Sequence, residues 1–200
     1  MKRLTGERLV LEPVTKLNAA TLWRVMQSNG LREFQDVPRH TREEFERRVA
    51  ARPKQFSARA VGRFEWLLVI AASRCPIGWV SLRVGEPGRH AAELGYSIIA
   101  PQRGFGYASE AVRLVVSHAF ETADLQRVEA CCVPANMPSR RLLENLGFVE
   151  MRVQRHGAIV RGRPVDVVLF DMPRERWPVS GGLHGAFGDE VAVSRSANAR

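Results

Sequence analysis

Between Glu93 and Phe120 the chain reads ELGYSIIAPQRGFGYASEAVRLVVSHAF, a strand-like run, a glycine-bearing turn and an amphipathic helix joined without a gap. That succession reads as an anion-binding turn between a strand and a helix. Leu94 to Ile99 is apolar and β-rich, and Pro101 ends it. Ala108, Ala111, Val112, Val115, Ala119 and Phe120 then recur at the steps of one helical face. Arg103, Gly104, Phe105, Gly106 and Tyr107 lie between the two. Glycines there let successive backbone N–H groups turn toward one point at a helix N-terminus, where free donors and the helix dipole favour a phosphate. The same glycines would also serve a strand-to-helix turn with no ligand.

Two phosphate loops can be tested against these residues. A P-loop needs Gly-Lys-Ser/Thr, and no lysine follows Lys54, which excludes a Walker NTPase. A dinucleotide fingerprint finds a third small residue in Ser109 and a distant acid in Glu129. It should, however, follow the first strand of a βαβ unit, whereas roughly three strands with hairpin spacing precede this turn.

Arg103-x-x-Gly106-x-Ala108, followed by Ser109-Glu110-Ala111, resembles the Q/R-x-x-G-x-G/A pyrophosphate loop of the GNAT superfamily of N-acetyltransferases. Asn136-Met137-Pro138-Ser139 through Leu142-Leu143-Glu144-Asn145-Leu146-Gly147-Phe148 is similar to the family's N-x-x-S/A…L-G-F helix and strand. Ser109-Glu110-Ala111, with Ser139 after Asn136, resembles the RimJ/RimL-like branch, which acetylates protein N-terminal amines and assorted small amines. The likeness covers residues 7 to 177 and implies an α/β (α+β) fold with a mixed, mostly antiparallel central sheet of about six or seven strands flanked by helices. It also implies acetyl-CoA as co-substrate, held by Ile98, Ile99, Arg103, Gly104, Phe105, Gly106, Tyr107, Ala108, Ser109 and Asn136. Two departures stand out. The stretch between Pro101 and Arg103 is one residue shorter than the common pattern, and Leu143 occupies the place where many members carry an acidic tyrosine.

A chain of 200 residues with 45% hydrophobic content suits one compact domain, expected over residues 1–177. Thr5 to Val14 reads as a strand, its apolar residues too interrupted for a signal peptide or membrane span, so a cytoplasmic protein is expected. Cys75, Cys131 and Cys132 make neither a disulfide framework nor a C-x-x-C metal pair, so free thiols and no metal are expected, with the vicinal pair as small core residues. Lys16 to Asn29 and a segment opened by the capping box Thr41-Arg42-Glu43-Glu44 read as helices, the second with Phe45, Val49 and Phe56 inward. Arg63–Ala72 and Pro76–Val84 form a hairpin, a turn falls at Gly85–Gly88, and Ala91–Ile99 completes a meander. A crossover leads to a parallel strand over Arg127–Val133, then to a helix over Met137–Asn145 and strands near Phe148–Gln154 and Val165–Met172. Residues 178–200 lack periodicity and read as a disordered tail.

Residues 1–60 hold 13 Lys/Arg against 7 Asp/Glu, a net +6 of the chain's +9. In the family this part borders the acceptor cleft. Around it Glu33, Asp36, Glu43 and Glu44 are outnumbered by Arg32, Arg39, Arg42, Arg47, Arg48 and Arg52. Basic charge invites a nucleic-acid reading. Yet the arginines are spread along the chain and alternate with glutamates as solvated helix faces do, so no nucleic-acid partner is expected.

The reaction implied is acyl transfer to an amine, which must lose a proton to attack. Glu93, on the strand that feeds the turn and facing the same way as Gly95 and Ser97, is the candidate base, directly or through a water. Its other role would be a surface residue paired with an arginine, and His90 is the second candidate. Ser139 is the residue that the RimJ/RimL-like pattern turns toward the CoA sulfur; in the first turn after an Asn136 N-cap it could equally serve only to bond a backbone donor. Expected acceptors are a peptide N-terminus or a singly charged small amine, and the protein a monomer or homodimer without membrane contact. An acyl-CoA binder without turnover and an RNA- or ribosome-associated binder are the other two readings.

Overall fold

The computed structural model describes residues 1–31, 33–35, 40–85 and 90–178. The elements are β1 (Leu4–Thr5), β2 (Leu9–Pro13), α1 (Ala19–Met26), α2 (Arg42–Ala50), β3 (Gly62–Ile70), β4 (Pro76–Val84), β5 (Ala91–Ile98), α3 (Tyr107–Thr122), β6 (Arg127–Cys132), α4 (Met137–Asn145), β7 (Val149–Val160) and β8 (Arg163–Pro173). One sheet of eight strands runs in the order β1-β2-β3-β4-β5-β6-β8-β7. Among the described residues only β5 and β6 pair in parallel, through the α3 crossover, and every other pair is antiparallel. Arg32, residues 36–39, the turn residues Glu86, Pro87 and Gly88, and the tail from 179 onward lie outside the described residues.

Eight strands replace the expected six or seven because the first strand is two. Gly6 N bonds Leu9 O, and Glu110 takes the amides of Arg8 and Leu9. The chain therefore folds back through Glu7 and Arg8, with Leu4 opposite Leu11 and Thr5 opposite Val10. At the other end, Arg161 and Gly162 both have positive φ, a two-residue turn matched to strand twist, so β7 and β8 run further than their hydrophobic stretches indicated.

Strand alternation divides the core. Phe64, Trp66, Leu68, Val80, Leu82, Leu94 and Ile98 pack with the buried stripe of α3, Ala111, Val112, Val115, Val116, Ala119 and Phe120. On the opposite face Leu67, Val69 and Trp79 pack with Leu22, Val25 and Met26 of α1 and Phe45 and Val49 of α2. The capping box of α2 is formed: Thr41 Oγ1 accepts from Glu44 N at 3.2 Å, and Glu44 Oε2 accepts from Thr41 N at 3.0 Å. Three local readings change. α1 is shorter than Lys16–Asn29, with Leu17 90% exposed ahead of it. Phe56 leaves the α2 face for the α3 side, its ring 4.9 Å from Phe64. Cys132 is buried, but alternation leaves Cys131 exposed.

Candidate active site

The glycine turn closes as its residues require. Gly104 and Gly106 have φ of +84° and +78°, and Gly106 is the left-handed residue before α3. Glu110 N bonds Gly106 O at 3.1 Å, so the amides of Tyr107, Ala108 and Ser109 precede the helical ladder. A side chain at Gly104 would meet nothing within 4 Å, which leaves the outside of the turn open. These features fit a pyrophosphate: three amides outside the helical ladder, open space at Gly104, and Arg8 and Arg103 beside the turn. Arg103 braces the turn from within, donating to Ile98 O at 3.0 Å and Gly30 O at 3.1 Å.

Arg8 braces it from outside, and nothing in its local sequence marked it. Its Nη1 donates to Phe105 O at 2.7 Å, its Nε to Glu110 Oε2 at 3.0 Å, and its guanidinium lies 5.1 Å from the centre of the Tyr107 ring. Glu110, in the first turn of α3, thereby joins the start of β2 to the start of α3. That is a physical reason for an acid in Ser109-Glu110-Ala111.

β5 and β6 pair only from Ala91↔Arg127 to Leu94↔Ala130. Beyond Leu94 the two parallel strands diverge, although β5 continues to Ile98 and β6 to Cys132. The gap has Tyr96 on one side and Ser139 on the other, their hydroxyls 2.8 Å apart. Ser139 N donates to Asn136 Oδ1 at 3.3 Å, so the N-cap role is present and still leaves Oγ for Tyr96. Burial raises the Tyr96 phenol above its ordinary value, against the lowering bond to Ser139, so it stays protonated. The Cys132 thiol beside Ser139 is pushed up to about 11, first by burial, and is equally neutral. Leu143, at the position of the family tyrosine, is wholly buried and belongs to the core. Tyr96 was overlooked at the level of sequence; it is one of only two tyrosines in the chain, and strand alternation puts it on the face opposite Glu93.

On that other face a cleft of about 410 Å³ lies between α1, α2 and the sheet, lined by Trp79, Ser81, Glu93, Gly95 and Tyr96 among others. It reaches the gap between the strands through Tyr96. Glu93 stands half-exposed on its wall with Arg83 Nη1 at 3.8 Å, a loose pair that leaves its carboxylate accessible. His90 is not brought to this place. It sits before the first residue of β5, at the far end of the strand from the turn, with Nδ1 3.2 Å from Asp124 Oδ2. Ile98 and Ile99 end the strand under the turn, and Asn136 and Ser139 open α4 across the gap. Among the described residues no group of three His, Cys, Asp or Glu is placed to hold a metal ion. No helix among them is long and apolar enough to cross a membrane.

Residues 8–149 match a family model described as an acetyltransferase (GNAT) domain. An uncharacterized N-acetyltransferase, p20 of Bacillus licheniformis, is 36% identical over 92 residues, 46% of this chain and 51% of that protein. The chain spans about half the length of the curated relatives it matches. Among solved structures, ribosomal-protein-S5-alanine acetyltransferase from Vibrio fischeri superposes with a TM-score of 0.76 at 20% identity, over 89% of this chain and 100% of that one. A RimL ribosomal L7/L12 α-N-protein acetyltransferase bound to coenzyme A as a cysteine disulfide superposes at 0.74 with 17% identity, over 88% and 99%. At these identities the two structures show a shared fold.

Proposed function

Because the chain belongs to the GNAT acetyltransferase family, we propose that it transfers the acetyl group of acetyl-CoA to an amine, in the manner of the RimJ/RimL-like branch. The observation that carries this reading is the divergence of β5 from β6 after Leu94, with the Gly104–Gly106 turn at its mouth and the Tyr96–Ser139 hydroxyl pair inside it. Acetyl-CoA supplies an activated thioester whose sulfur leaves as it accepts a proton. The turn amides and the flanking Arg8 and Arg103 hold the pyrophosphate. Glu93 takes the ammonium proton, directly or through a water, from an acceptor lying in the cleft. Tyr96, kept protonated by burial, would give its proton to the sulfur as the C–S bond breaks and be reprotonated by the second proton that the newly acylated nitrogen sheds, with Ser139 Oγ as its neighbour.

The chain's +9 charge draws in the anionic CoA but opposes polycationic acceptors. A peptide N-terminus or a singly charged small amine is therefore the acceptor, rather than an aminoglycoside or polyamine. The test is acceptor-dependent thiol release from acetyl-CoA over N-terminal peptides, amino acids, spermidine and aminoglycosides. Turnover with a peptide or singly charged amine is expected. CoA binding without turnover on any amine would leave a binder in place of an enzyme, and a tenfold preference for a polycation would overturn the acceptor class.

A further inference from the structure

The cleft beside Glu93 carries its own charge pattern. Glu65 is fully buried in β3, and its two oxygens are each taken by a guanidinium, Oε2 by Arg52 Nη1 and Oε1 by Arg63 Nη2 at 2.8 Å. One buried carboxylate thus holds two arginines at the cleft wall and neutralises only one of them. Arg52 is further fixed over the Phe45 ring, 5.7 Å from its centre. Arg63 Nε is buried, with no hydrogen-bond partner among the described residues. Arg48 of α2 reaches the same cleft, with no carboxylate partner among the described residues, and Arg83 has only the loose contact with Glu93. Four guanidiniums therefore face this space against Glu93 and the occupied Glu65.

Pre-held guanidiniums are what a carboxylate needs, since arginine can pair with it without first having to be ordered. The separation fixes where that carboxylate sits. Arg63 is opposite Arg83, and Arg83 opposite Glu93, so two inter-strand steps of about 4.8 Å each lie between Arg63 and Glu93. An extended peptide advances about 3.3 Å per residue. With its amine at Glu93, its second or third side chain comes to Arg52, Arg63 and Arg48, whereas the carboxylate of a free amino acid stays too near its own amine. We propose that the acceptor is a peptide N-terminus with an acidic residue at its second or third position, read by Arg48, Arg52 and Arg63. This rests on the acetyltransferase reading and narrows its substrate class.

The experiment compares kcat/KM for acetylation of tetrapeptide amides that differ only in having Glu, Gln or Lys at the second or third position, with free alanine and glutamate alongside. The Glu peptide should exceed Gln by about tenfold and Lys by more, with the advantage shrinking as salt is raised. Arg48→Gln, an exposed change that leaves the Glu65 triad intact, should reduce the Glu preference several-fold, and Arg63→Gln should reduce it further. Peptides acetylated without regard to charge would overturn the inference and leave the acetyltransferase reading standing. Preference for free glutamate over every peptide would do the same. Failure to acetylate any amine would overturn both.

Discussion

Tyr96 Oη and Ser139 Oγ stand 2.8 Å apart across the gap between β5 and α4, joining two residues 43 positions apart in the chain. The pair lies where β5 still pairs with β4 but no longer with β6. Its phenol stays protonated because burial disfavours the phenolate.

Tyr96→Phe removes the hydroxyl and leaves the ring. Loss of a positioned proton donor should lower kcat on the order of 100-fold, with the KM for acetyl-CoA little changed. Because the phenol is raised, the wild-type rate should show no alkaline loss from this group below its ordinary value near pH 10. Steady-state kinetics and a pH profile on one amine check both statements. An unchanged kcat would remove Tyr96 from the proton path.

Gly106→Asp places a side chain on a backbone of φ +78°, where the added Cβ comes 3.2 Å from Arg8 Nη2. The new carboxylate would pair with Arg8 and repel the pyrophosphate from the first-turn amides. CoA affinity by calorimetry should fall well beyond tenfold in a protein that still folds by circular dichroism. Gly106→Ala, which adds strain without charge, should fall less. Undiminished binding in the folded Asp variant would put the CoA elsewhere.

The glycine turn was legible because its requirements are local: positive φ at Gly104 and Gly106, and a helix beginning at once. The same holds for the Thr41 capping box and the Asn136 N-cap. Arg8, Tyr96 and the Arg52–Glu65 pair were not legible, since each acquires its meaning from a partner 13 to 102 residues away that only the tertiary fold brings near. The β1–β2 turn belongs with them, since the carboxylate that takes its Arg8 and Leu9 amides is Glu110, a residue of a different element.

Glu110→Gln tests that link. The carboxylate accepts from Arg8 N at 2.8 Å, Leu9 N at 3.0 Å and Arg8 Nε at 3.0 Å. An amide can keep the two backbone donors on its oxygen but turns an NH2 toward the guanidinium. Destabilisation of about 1–2 kcal/mol is expected, a few degrees in Tm for a domain of this size. Freed from Glu110, Arg8 should also hold Phe105 O less firmly, so CoA affinity should weaken with stability. A variant with wild-type Tm and CoA affinity would show that the brace is incidental.

His118 gives the fold an acid-sensitive point away from the chemistry. It is buried on α3, with its ring 5.4 Å from Phe56 and 6.2 Å from Trp66, Nδ1 bonded to Thr122 Oγ1 at 3.1 Å and Nε2 without a partner among the described residues. Burial lowers its pKa first and Lys2 second, with Glu121 opposing. In the unfolded chain the imidazole takes its proton near pH 6.5, so below that value the unfolded state binds more protons than the folded one. The contribution is therefore intact above about pH 6.5 and is lost as the pH falls toward the lowered folded value. His118→Phe keeps an aromatic ring among Phe56 and Trp66 and removes the titration. Its unfolding free energy, followed by denaturant titration from pH 7.5 to 5, should decline less steeply than that of the wild type, whatever the absolute offset from losing the Thr122 bond. Parallel declines in the two proteins would show that His118 charges in place without cost.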